Sequence, residues 1–73
     1  MPPEKLIYMA NQVAKFFAHQ GDDKATASIA DHLAKFWDPR MRAEIIGLVA
    51  RGAAAGLDPR AFKAVRGLKP AAQ

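Results

Sequence analysis

The chain has 73 residues, about half of them apolar (51%) and a quarter charged (25%), with no cysteine; a chain of this size buries only about 60% of the surface its unfolded form exposes. One small helical domain over residues 1–73, weakly stable by itself, is the expectation, and the missing cysteines exclude disulfides and thiolate-held zinc or iron-sulfur clusters. The formal charge of +4 is uneven: residues 1–38 hold four Lys and five acids, and residues 39–73 hold seven basic residues and two acids, an asymmetry that suits nucleic acid, an acidic membrane or an acidic protein surface.

The opening Met1-Pro2-Pro3-Glu4-Lys5 lacks the apolar core of a signal peptide, and no apolar run approaches the roughly 20 residues a bilayer requires. A cytoplasmic location is therefore expected. Apolar residues then recur at three- and four-residue steps at Leu6, Met9, Ala10, Val13, Phe16 and Phe17, which predicts a helix over about residues 3–20 with that stripe inward. Tyr8, Gln12, Lys15 and His19 fall on the opposite face, so Tyr8 is an outward aromatic residue and a candidate contact residue. Ile7, Asn11, Ala14 and Ala18 form a narrow flank between the two faces.

Gly21-Asp22-Asp23 reads as a turn and cap, followed by a second helix over about 23–37 with Ala25, Ile29, Leu33 and Phe36 inward. Ala27, Ala30 and Ala34 form a strip of small residues suited to a close neighbour. Asp31 and Lys35 stand in the favourable acid-before-base order at four-residue spacing, and Lys35 near the C-terminus suits the helix dipole, so local charge accounts for both.

Asp38 and Pro39 make the clearest boundary in the chain. A carboxylate at the cap accepts from the unpaired amides of the next turn, and proline suits the first helical position while excluding the residue before it from the preceding helix. A third helix over about 39–51 follows, with Trp37 at the elbow as either core or interface. Arg40 and Arg42 lie in the first turn of that helix, where positive charge opposes the dipole by roughly 0.3–1 kcal/mol each. Their compensation is expected from Asp38 or from acidic groups on a partner.

Gly52 and Gly56 bracket an alanine-rich loop, Asp58-Pro59 repeats the cap, and a short fourth helix runs over about 59–66 before Gly67 and a frayed tail over 68–73. The fold class is all-α: a small bundle of three main helices with a short fourth at the C-terminus. Asp38, Pro39, Asp58 and Pro59 are its structural caps.

The chemistry available is thin. His19 and His32 have no second ligand at metal-site spacing, and no glycine loop could hold a phosphate, so no catalytic, metal or cofactor-binding residue is assigned. A helix-turn-helix reading meets the problem that the exposed face of helix three offers Arg40, Ala43, Glu44, Gly47 and Arg51, of which two cannot read a base and Glu44 repels phosphate. A free-standing helical nucleic-acid binder is the alternative from a different class, supported mainly by the pI of 9.9.

Two blocks, Lys5-Leu6-Ile7-Tyr8-Met9-Ala10-Asn11-Gln12-Val13-Ala14-Lys15-Phe16-Phe17 and Ala30-Asp31-His32-Leu33-Ala34-Lys35-Phe36-Trp37-Asp38-Pro39-Arg40-Met41-Arg42, closely resemble the delta subunit of soluble NAD-dependent formate dehydrogenases. The resemblance implies a non-catalytic accessory subunit of a cytoplasmic complex, docked on the catalytic (alpha) subunit and serving assembly, stability or cofactor insertion. It also implies that the molybdenum or tungsten pterin, the iron-sulfur clusters and the FMN belong to other subunits. Carried over onto this sequence, Asn11, Trp37, Asp38, Pro39, Arg40 and Arg42 are the signature positions, and with Tyr8 the non-proline members of this set are the candidate partner-binding residues.

Overall fold

Capping chemistry sets where the helices begin in the computed structural model, which describes residues 1–68. Helix α1 spans Pro3–Phe17, with proline at its start and the Pro2 carbonyl accepting from the amides of Lys5 and Leu6 at 3.1 and 3.2 Å. It does not continue as α-helix to residue 20. Ala18–Gln20 tightens into a single 3-10 turn, and Ser28 Oγ donates to Gln20 Oε1 at 2.6 Å, which ties that turn to the helix that follows.

Gly21 then reverses the chain with φ at +89°, a left-handed conformation that costs glycine little. Helix α2 spans Asp22–Phe36, so Gly21 is the cap and Asp22 and Asp23 both lie in the first turn, where negative charge suits the dipole. Asp31 and Lys35 pair across one turn at 3.2 Å.

Helix α3 spans Pro39–Ala50, capped by Asp38 Oδ1 accepting from the Met41 amide at 2.8 Å; helix α4 spans Pro59–Arg66, capped by Asp58 Oδ1 accepting from the Arg60 amide at 2.8 Å. Beyond α3 the Ala53 amide reaches the Leu48 carbonyl at 2.8 Å and the Gly52 amide reaches Val49 at 3.2 Å, with Gly52 at φ +70°. That is the paired-bond Schellman ending, and it frees α4 to fold back. Leu68 donates from its amide to Val65 and is partly buried against the core. The rest of the expected frayed tail, residues 69–73, lies outside the described residues.

The core is assembled from all four helices: Leu6, Ala10 and Ala14 of α1, Ala25, Ile29 and Leu33 of α2, Ile45 and Leu48 of α3, and Ala61, Ala64 and Val65 of α4. Five of these eleven are alanines, so the backbones approach closely. The short α4 packs mainly on α2 and α3.

Two residues expected inside are outside. Phe16 is 71% and Phe36 73% exposed, whereas Trp37, just beyond the end of α2, is only 6% exposed. On α1 the buried line is Leu6, Ala10 and Ala14, three residues at four-residue steps, which is rotated toward the small-residue flank and carries Phe16 out of the contact. On α2 the chain leaves the helix at Trp37 in an extended conformation, φ −82° and ψ 139°, and the indole turns into the core. The strip on α2 also differs from expectation: Ala27 and Ala34 are exposed, Ala30 alone of the three packs against the core, and the buried alanine of α2 is Ala25, alongside those of α1 and α4. Among the described residues, no helix is long and apolar enough to cross a membrane.

Candidate functional site

The α2–α3 corner is held together from both sides. Asp38 caps α3, and Arg42, one turn into α3, sends its guanidinium back to the end of α2, where Nη1 donates to the carbonyls of Ala34 at 3.0 Å, Leu33 at 3.4 Å and Trp37. Carbonyls in the last turn of a helix lack intrahelical donors and form its negative pole. Arg42 is therefore compensated by the C-terminus of α2, a source that neither Asp38 nor a partner supplies. Trp37, buried beneath the same corner, packs with the core.

Arg40 differs. It is exposed, and among the described residues it takes part in no hydrogen bond or ion pair with another side chain. Two arginines two positions apart thus have separate circumstances: one staples two helices, and one projects free charge beside the corner.

Asn11 fastens α1 to the loop before α4. From the edge of α1 its Nδ2 donates to the Gly56 carbonyl at 2.9 Å, and its Oδ1 accepts from the Asp58 amide at 2.8 Å. One amide side chain therefore reads both a donor and an acceptor of the loop 45 and 47 positions away and holds it against α1. Asp58, besides capping α4, meets the Arg60 guanidinium at 3.3 Å, and Arg60 also faces Asp22 of α2 at 3.8 Å. Burial by itself would push the Asp58 carboxyl up, but the hydrogen bonds from the Arg60 side chain and backbone, the Arg60 charge and the Ala61 amide together hold it below its ordinary value. Asp58 in turn raises the affinity of Arg60 for its proton.

Of the candidate contact residues, Asn11, Trp37 and Arg42 thus use their polar groups or area within the chain, Asp38 is an exposed cap, and Tyr8 and Arg40 face outward. Tyr8 is 63% exposed, and its hydroxyl accepts from Gln12 Nε2 at 2.8 Å on the same face of α1.

Residues that periodicity directs inward complete the outward set. Phe16 meets Phe17 edge to face with centroids 5.0 Å apart, Phe17 meets His32 at 6.1 Å, and His32 meets Phe36 at 4.8 Å. The chain of rings crosses from α1 to α2 and leaves a Phe open to solvent at each end. A signal for part of this exists in the sequence, because consecutive helical residues sit about 100° apart, so Phe16 and Phe17 cannot both occupy the centre of one stripe.

The chain has no cysteine, and among the described residues no three His, Cys, Asp or Glu side chains converge on one point. His19 is exposed, and His32 lies between phenylalanines.

Compared with known protein families, residues 5–65 match the family model described as the NADH-dependent formate dehydrogenase delta subunit, FdsD. The matched segment runs from the first turn of α1 to the last turn of α4 and takes in the Asn11 clamp, the ring chain and the Arg42 staple. Comparison with curated proteins and with solved structures finds no match.

Proposed function

This chain belongs to the family of NADH-dependent formate dehydrogenase delta subunits, and from that premise we propose that it is a non-catalytic accessory subunit docked in the cytoplasm on the catalytic (alpha) subunit. Family membership makes it one component of a complex with other subunits. Its own part is to support assembly, stability or cofactor insertion, while the molybdenum or tungsten pterin, the iron-sulfur clusters and the FMN reside in the larger subunits.

The observation that carries this reading is the family match over residues 5–65, which covers all four helices. Two features support the finer assignment. The polar groups of Asn11, Arg42, Asp58 and Arg60 are engaged in holding the helices together, so the residues that look most chemically capable act as fasteners. Tyr8, Arg40 and the rings of Phe16 and Phe36 face outward, and aromatic residues with arginine are the composition of protein–protein contact sites.

Co-purification tests the proposal. A tagged full-length chain, produced with the other formate dehydrogenase subunits of its source, is expected to co-elute with the large subunit, and its thermal unfolding is expected to shift upward when that subunit is present, since binding to the native state adds to stability. The isolated chain is expected to show no formate-dependent NAD reduction. Failure to associate with any of those subunits, or a flavin or iron-sulfur absorption band that stays with the purified chain together with NAD reduction, would overturn it.

A further inference from the structure

From the chain of rings we infer that Phe16, Phe17, His32 and Phe36 form the anchor that seats this chain in an apolar, acid-rimmed depression on the large subunit; the inference rests on the chain being a subunit of the enzyme. Phe16 and Phe36 occupy positions whose sequence spacing belongs to the apolar stripes, yet the fold leaves both more than 70% exposed while covering Trp37. They are linked ring by ring through Phe17 and His32, so the patch is continuous across two helices. Phe has only two side-chain torsions, so seating a ring costs little conformational freedom for the area it buries, which suits an interface anchor.

Area and charge choose the occupant. Two Phe at this exposure present roughly 300 Å² of ring surface. A twofold pairing of this patch with a second copy would bury roughly 600 Å², well short of the roughly 1,200–2,000 Å² of a stable interface. It would also bring together like charges, because exposed Lys15 immediately precedes Phe16 on α1 and the chain as a whole carries a net charge of +4. Asp31 and Lys35, beside Phe36, offset each other as an ion pair at 3.2 Å, so neither supplies a free charge to the patch. A larger partner avoids both difficulties: a concave seat for the two rings continues onto the Tyr8–Gln12 face of α1, and acidic groups at its rim meet Lys15 and Arg40.

The test uses the full chain with the large subunit. Phe16→Gln and Phe36→Gln together remove both rings at exposed positions, so the variant is expected to keep the circular dichroism and melting curve of the wild type while binding the large subunit about 30-fold more weakly, as for the loss of two anchors. Phe62→Gln, an exposed ring on α4 outside the patch, is expected to bind as wild type. Should the double variant fold poorly, benzoylphenylalanine placed at position 36 keeps a ring there and is expected to photo-crosslink to the large subunit. Unchanged affinity of the folded double variant, or crosslinking absent at position 36 in a complex that still forms, overturns the assignment of this surface and leaves the subunit role standing. A wild-type chain that binds no formate dehydrogenase subunit overturns the subunit role itself and the occupant with it. A concentration-dependent dimer of the isolated chain that the double variant abolishes assigns the patch to a second copy and overturns the proposal.

Discussion

Replacing Arg42 and Arg40 separately by Gln distinguishes a staple from a free charge. The dipole of α3 acts on the two alike, because both stand in its first turn, where removing positive charge relieves roughly 0.3–1 kcal/mol. The structure separates them. Arg42 donates to the carbonyls of Leu33, Ala34 and Trp37, so its loss also removes a positive charge from the C-terminal pole of α2. The two dipole effects are of similar size and opposite sign, so the hydrogen bonds decide the balance. A hydrogen bond to a charged group contributes about 1.5–3 kcal/mol. One Nη1 shared among three carbonyls at a partly exposed corner belongs at the lower end, near about 1.5 kcal/mol. At about 4–8 °C per kcal/mol for a domain of this size, Arg42→Gln should lower the melting temperature by about 6–12 °C. Arg40→Gln should leave it unchanged or raise it slightly. Thermal and urea unfolding of the full-length chain followed by circular dichroism measures both variants side by side. Melting temperatures that move together in the same direction would refute the staple.

Asn11→Ala removes both bonds to the loop before α4 and should cost about 1–3 kcal/mol, with hydrogen exchange at the Asp58 amide accelerating well beyond that of α1; unaltered protection of that amide would show that Asn11 does not hold the loop. Acid titration tests Asp58, whose carboxyl is held below its ordinary value of 3.8 in the folded chain. A depressed folded pKa contributes stability that is complete above the unfolded value and is lost as pH falls through the folded one. The advantage of wild type over Asp58→Asn should therefore be level between about pH 5 and 8 and shrink below about pH 4. A difference that grows on acidification would contradict the Asp58–Arg60 pairing.

Much of the fold is legible along the chain because it is built by local chemistry. Asp38-Pro39 and Asp58-Pro59 each place a cap and a first helical residue side by side, and both helices begin there, with side-chain oxygens on the amides within three positions. Gly21 and Gly52 mark turns that need positive φ. The period of Ala25, Ile29 and Leu33 identifies the buried face of α2. Each of these signals acts within about one helical turn, so no knowledge of the neighbours is needed.

Only the tertiary structure decides which of several apolar residues on a helix meets a neighbour and which long-range polar pairs form. Periodicity supplies an angle about the helix axis, but burial also requires a neighbouring helix to be present at that height. Phe16 lies outside the row that α1 buries and Phe36 ends α2, so both rings stay in water while Trp37, already out of the helix, turns into the core. Arg42 looks like an unfavourable charge within its own helix because its compensation belongs to the end of another, and Asn11 looks like a polar residue on a flank until the loop 45 positions later arrives beside it. The physical reason is common to all five: spacing encodes direction within a helix, while partners are set by how helices of fixed length cross, which is decided when alanine-rich faces close on one another.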